Sequence, residues 1–80
     1  MSKEEIITKV NGFLVDEFEI DAALLNDNAA LKKDLGIDSL DIVDIIVLID
    51  KEFGVKVKPE ELGRLTTLGS LYDFIEEKIA

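Results

Sequence analysis

The sequence contains no cysteine, no histidine and no tryptophan, and it has a single proline. Without cysteine the chain has neither a disulfide nor a thiolate nucleophile of its own. Without histidine it lacks the commonest metal ligand, the usual general base and any Ser-His-Asp triad. We therefore expect no metal site, and we do not expect an enzyme.

Positive charge and long apolar runs are also scarce. The 80 residues include 9 Lys and Arg against 18 Asp and Glu, a formal net charge of −9. Such a surface repels nucleic acid and anionic lipid and favours basic protein partners. The longest apolar run, residues 45–49, cannot span a bilayer, and the polar N-terminus is unlike a signal peptide. We expect a monomeric, cytoplasmic protein that forms one domain over residues 1–80, without nucleic-acid binding or membrane insertion.

Apolar residues recur at helical spacing in three segments. The pattern predicts helices over residues 4–18, 39–53 and 68–79. A short helical turn is predicted over residues 59–62, where Pro59 takes the first position and acidic residues follow. Residues 55–58 alternate in polarity but have no partner strand, so we interpret them as an extended connector. The predicted fold is all-α, a small four-helix bundle of three main helices and one short helix.

A long connection separates the first two main helices. Residues 19–38 have no sustained period, and a loop of this length is unusual and often functional in a small domain. We expect a short turn of helix near residues 22–25. We also expect the loop to wrap the bundle and to anchor its apolar side chains, which are Ile20, Leu24, Leu25, Leu31, Leu35 and Ile37.

The second predicted helix has two apolar sides. One side is expected to lie in the core and consists of Ile42, Ile45, Ile46, Ile49 and Phe53. The other side consists of Leu40, Val43 and Val47, bordered by acidic residues. This second side must either pack against another part of the chain or meet a partner, and the sequence pattern leaves both alternatives open.

The start of this helix places one hydroxyl at a special position. Asp38 is expected at the N-cap, with Asp41 three residues later to complete a capping box. Ser39 then falls on the first turn, where unpaired N–H groups and the helix dipole stabilise a phosphate. A serine at this position could carry a phosphodiester, although Ser and Asp before a helix are also ordinary capping residues.

Several motifs together carry a resemblance to a known family. They are the run Leu-Lys-Lys-Asp-Leu-Gly-Ile-Asp-Ser-Leu-Asp at residues 31–41, Glu-Phe-Gly at 52–54, Pro-Glu-Glu-Leu at 59–62 and Thr-Thr at 66–67. With the chain length and the long loop, this combination resembles an acyl carrier protein over nearly the whole sequence. It is densest over residues 31–53.

The resemblance implies a covalent cofactor. In this family a transferase moves 4′-phosphopantetheine from coenzyme A onto the motif serine, here Ser39, which Asp38 and Leu40 flank. The thiol of the arm then carries acyl groups as thioesters, for fatty acid or related lipid and polyketide synthesis. The carrier itself performs no catalysis.

The resemblance also assigns two surfaces. Partners are expected to be the transferase and acyl-processing enzymes with basic patches, which would contact Asp38, Leu40, Asp41, Val43, Asp44, Val47 and Glu52. The residues expected to line an acyl pocket between the helices are Ile46, Ile49, Leu62, Leu68 and Tyr72.

Six basic residues depart from the pattern of carriers for general fatty acid synthesis. They are Lys32, Lys33, Lys51, Lys56, Lys58 and Arg64. These residues, and a second helix rich in isoleucine, indicate a specialised carrier that serves one pathway. A peptidyl or aminoacyl carrier is a variant of this hypothesis. A non-covalent acidic module that binds a basic partner through the second helix is the alternative from another class.

Overall fold

The structure, a computed structural model, describes residues 2–79 and has three main helices. They are α1 (Lys3–Phe18), α2 (Ser39–Phe53) and α3 (Leu68–Ile79). A 3₁₀ turn at Ala22–Leu24 and a 3₁₀ helix at Pro59–Arg64, hereafter the short helix, complete the fold. The all-α architecture and the long connection before α2 are confirmed. No helix within residues 2–79 has the length and apolar character needed to cross a membrane.

The helix boundaries lie close to those predicted from the sequence. The bounds of α2 and α3 match, whereas α1 begins one residue earlier and the short helix continues to Arg64. Local caps explain the agreement for α2. Asp38 and Asp41 form the reciprocal capping box, and Gly54 ends the helix at φ 68°, a left-handed conformation that favours glycine.

A single apolar cluster holds the helices together, and within residues 2–79 it contains no buried polar or charged side chain. The long loop contributes five of its members, Ile20, Ala29, Leu31, Leu35 and Ile37. Two expectations were wrong. Leu24 is 47% exposed because the Ala22–Leu24 turn lies on the surface. Ile46 is only half-buried and lies outside the core cluster, at the edge of the core-facing side of α2.

Backbone hydrogen bonds attach the loop to the start of α3. The Leu68 N–H donates to the Ala29 carbonyl, and the Gly69 N–H donates to the Asp27 carbonyl, both at 2.9 Å. In the other direction, the Leu31 N–H donates to the Thr66 carbonyl at 3.0 Å. Two threonines, Thr66 and Thr67, precede α3, and the hydroxyl of Thr67 accepts a hydrogen bond from the Ser70 N–H. The first N–H groups of α3 are therefore satisfied by the loop and by Thr67.

Gly69 lies where the loop packs closely against α3. A Cβ atom at this position would lie 2.9 Å from the Asp27 carbonyl oxygen and 3.2 Å from the Asp27 Cβ. Both atoms belong to Asp27, which is held in place because its carbonyl accepts the hydrogen bond from the Gly69 N–H. A side chain at position 69 would therefore push the loop away from the helix.

We predict that Gly69→Ala destabilises the protein. The clash should outweigh the gain in helix propensity, so the expected net loss in the free energy of unfolding is about 1–2 kcal/mol. Gly12→Ala is the matched control, because nothing lies within 4 Å of a Cβ at that helical position. The control should gain about 0.5–1 kcal/mol. Urea unfolding measures both, and equal stability of the two variants would contradict the assignment of the contact.

Tyr72 is a buried titratable group. Its side chain is 2% exposed, and its hydroxyl donates a hydrogen bond to Asn11 Oδ1 on α1. Burial raises the pKa of Tyr72 to about 12, from an ordinary value of 10.0. The folded protein thus holds this proton to a higher pH than the unfolded chain does, so the stability associated with it is complete below about pH 10 and is lost as the pH rises toward 12.

This shift can be measured directly, because Tyr72 is the only tyrosine and the sequence has no tryptophan. Ultraviolet titration of tyrosinate absorbance in the folded protein should give a midpoint near 12. The same titration in concentrated urea should give a midpoint of about 10. Coincident midpoints in a sample that remains folded would show that the phenol is accessible to water.

Candidate functional site

Ser39 is exposed on the first turn of α2. Asp38 occupies the N-cap, so the capping position is taken by the residue before the serine. Among residues 2–79, no side-chain hydrogen bond engages the Ser39 hydroxyl, and no described residue accepts from the N–H groups of Ser39 or Leu40. The hydroxyl therefore has no capping function, and it stands beside two free donors at the positive end of a helix.

The two aspartates near Ser39, Asp38 and Asp41, cap the N-terminus of α2. The Asp41 N–H donates to Asp38 Oδ1 at 2.9 Å, and the Asp38 N–H donates to Asp41 Oδ2 at 3.3 Å. Both carboxylates also contribute negative charge at the N-terminal end of α2. Asp44 and Glu52, further along α2, are exposed and take part in no ion pair among residues 2–79.

The second apolar side of α2 is open to solvent. Leu40 is 77% exposed, Val43 is 56% exposed and Val47 is 59% exposed. These three residues form an exposed apolar strip that starts next to Ser39. The alternative in which this side packs against another part of the chain is therefore wrong for residues 2–79. Large exposed apolar residues that lie together indicate a protein-binding surface.

Ser39 lines a cleft of about 490 Å³. Its walls come from α2, from the end of the long loop and from the segment that contains the short helix. The lining residues are Ala30, Lys32, Lys33, Ser39, Ile42, Val43, Leu62, Gly63, Leu65 and Thr66. Most of this lining is apolar, so the cleft can accept an uncharged chain, and the two lysines give it a positively charged rim.

Only one of the five residues expected to line an acyl pocket lies in this cleft. Leu62 lines it and is 37% exposed. Ile49, Leu68 and Tyr72 are core residues with 2% exposure or less, and Ile46 is half-buried. A pocket between the helices would need these packed side chains to move apart, so that part of the expectation stays a prediction.

The cleft is a feature that the sequence pattern does not predict. The pattern predicts Ile42 in the core and the resemblance places Val43 on the partner surface, yet both also line the cleft together with Ser39. A helical spacing of i, i+3 and i+4 places these three residues on one side of α2. This spacing is the sequence signal for the part of the cleft formed by α2. The rest of the lining depends on how the loop and the short helix fold, which the spacing does not predict.

A cluster of charged and aromatic contacts fixes the short helix to α3. Lys78 Nζ lies 2.7 Å from Glu61 Oε2, and Arg64 Nη2 lies 2.6 Å from Glu77 Oε2. Both cations also lie near the Phe74 ring, at 5.1 Å from its centroid for Arg64 and 5.4 Å for Lys78. These contacts hold in place the segment that carries Leu62 and Gly63, and therefore one wall of the cleft.

The same contacts explain the pKa directions in this region. The hydrogen bond from Lys78 is the largest cause that lowers the pKa of Glu61, and the hydrogen bond from Arg64 lowers that of Glu77. Arg64 is thus bound locally, and Lys56 likewise pairs with Asp50 at 3.3 Å. Lys56 and Arg64, two of the six basic residues that depart from the pattern of fatty acid carriers, therefore form ion pairs within the fold.

Comparison with known proteins agrees with this geometry. Residues 9–75 match the family described as the phosphopantetheine attachment site. A family of this description consists of carriers that hold their cofactor covalently, and the exposed serine, the free N–H groups and the adjoining cleft suit such a group.

Individual relatives match along nearly the whole chain. The acyl carrier protein of Thermotoga maritima is 38% identical over 78 residues, which cover 98% of this chain and 96% of the relative. That of Thermosynechococcus vestitus is 36% identical over 80 residues, with coverage of 100% and 99%. That of Lactobacillus acidophilus is 33% identical over 76 residues, with coverage of 95% for both. The chain therefore belongs to the phosphopantetheine attachment-site family, among its acyl carrier proteins. It is a non-catalytic carrier.

Proposed function

We propose that Ser39 is the attachment residue, and that the chain carries acyl groups as thioesters on a 4′-phosphopantetheine arm for fatty acid or related acyl synthesis. The observation that carries this proposal is the position of the Ser39 hydroxyl. It is exposed, it has no hydrogen-bond partner among residues 2–79, and it opens onto an apolar cleft. When bound, the group supplies the thiol that the sequence lacks.

The residues around Ser39 suit the attachment chemistry. The free N–H groups of Ser39 and Leu40 can stabilise the phosphodiester through hydrogen bonds and the helix dipole. The capping box of Asp38 and Asp41 keeps the first turn of α2 intact while the serine remains available. The chain has no histidine, and the nearby carboxylates of Asp38 and Asp41 are engaged in the capping box, so we assign removal of the serine proton to the transferase.

Attachment at Ser39 is tested by intact mass. Incubation with coenzyme A and a broad-specificity phosphopantetheinyl transferase should add the mass of one phosphopantetheine to the wild type. Ser39→Ala should gain nothing, because it removes the only proposed nucleophile. Ser70→Ala is a control, since that serine is held by hydrogen bonds at the start of α3, and it should load as the wild type does. Loading of Ser39→Ala, or an unmodified wild type beside a loaded control carrier, would refute the proposal.

We further propose that partner enzymes bind the exposed apolar strip and the acidic residues beside it. Leu40, Val43 and Val47 offer apolar contact, and Asp44 and Glu52 are exposed charges on the same helix. Asp38 and Asp41 add negative charge at its N-terminal end. An acidic carrier and a basic enzyme attract each other at long range, which favours rapid encounters that salt weakens.

Charge removal from α2 should slow the association with the transferase. The double variant Asp44→Asn/Glu52→Gln should lower the association rate constant by about three- to tenfold at low salt. Glu4→Gln/Glu76→Gln changes the net charge equally but lies on α1 and α3, so it should have a smaller effect. Stopped-flow fluorescence measures the rates. Equal effects of the two double variants, or rates independent of ionic strength, would contradict a specific charged surface on α2.

A further inference from the structure

We propose that Lys32 and Lys33 bind the phosphodiester of the arm and hold the arm along the cleft. This inference rests on the attachment at Ser39 proposed above. It assigns a function to two basic residues that neither the fold nor the capping of the helices uses.

The position of the lysines is the first observation. Both residues line the cleft that Ser39 also lines, and both belong to the long loop. The phosphodiester would be bonded directly to the Ser39 oxygen, so its charge would stand at this cleft. Apolar residues, including Val43 and Leu62, line the same cleft.

The second observation is that no acidic group of residues 2–79 neutralises these lysines. The four ion pairs of the described residues engage Lys3, Lys56, Arg64 and Lys78, and neither Lys32 nor Lys33 takes part. The nearest carboxylate in sequence, that of Asp34, accepts a hydrogen bond at 2.8 Å from the Ala30 N–H. In a chain of net charge −9, two cations without an ion-pair partner stand beside the proposed attachment point.

Electrostatics explains what the lysines would do. Asp38 and Asp41 form the capping box beside Ser39 but do not line the cleft, and their charges repel a phosphodiester. Attraction from the loop lysines and repulsion from the aspartates therefore both favour a phosphodiester held at the cleft. An arm held by its phosphodiester on that side would place its uncharged part along the apolar lining and keep its thioester from solvent.

The stability of the thioester tests the inference without any partner enzyme. Wild type, Lys32→Gln/Lys33→Gln and the control Lys51→Gln/Lys58→Gln are loaded from butyryl- or succinyl-coenzyme A. Intact mass confirms one arm on each protein. The two control lysines lie outside the cleft, and both double variants change the net charge equally. Cleavage by hydroxylamine is then timed, and amide NMR shifts of Val43, Leu62 and Gly63 are compared before and after loading.

Loss of the loop lysines should expose the arm. We expect Lys32→Gln/Lys33→Gln to accelerate cleavage of both thioesters by about threefold or more and to reduce the shift changes at the cleft amides, with no such effect in the control. Acceleration of the succinyl thioester alone would assign the lysines to the cargo carboxylate and overturn the inference. Unchanged rates and shifts would also overturn it. Failure of the wild type to load would instead refute the proposed function.

Discussion

The hydrogen bonds between the long loop and the start of α3 are the constraint on which the site depends. Ala29 and Asp27 provide carbonyl acceptors for Leu68 and Gly69, and Leu31 returns a bond to Thr66. The five core residues of the loop anchor it by apolar contact, and these hydrogen bonds fix its second half against α3. Because this half is fixed, Lys32 and Lys33 line the same cleft as Ser39, and the cleft has a defined shape.

The helices could be predicted from local signals, as could the turn near residues 22–25 and the burial of Ile20, Leu31, Leu35 and Ile37, but the attachment of the loop to α3 could not. Asp38, Asp41 and Gly54 mark the ends of α2 by cap chemistry, which acts within a few residues of sequence. The burial of Ala29 depends instead on the backbone hydrogen bonds that join the loop to residues 66–69. These residues lie far along the chain, and backbone donors and acceptors have no signature in residue type.

The site, too, has features that could be predicted from local sequence and features that could not. The position of Ser39 could be predicted because a helix start is a local feature, and the motif around it is distinctive. The exposed apolar strip was recognised, but its openness could be established only from the fold. The cleft was missed because its second wall is the short helix, which charged contacts around Phe74 attach to α3. Conversely, residues such as Leu68 and Tyr72 proved to be core, since an apolar stripe does not distinguish a packed interior from a pocket.

The exposed apolar strip also bears on how concentrated solutions of this protein behave. Leu40, Val43 and Val47 offer a water-facing surface through which two copies could adhere. Near neutral pH, mutual repulsion between chains of net charge −9 opposes that adhesion. At the isoelectric point, near pH 4.3, this repulsion disappears while the apolar surface is unchanged. The acidic composition therefore provides colloidal stability, because charge repulsion keeps the chains apart while the exposed apolar strip remains in contact with water.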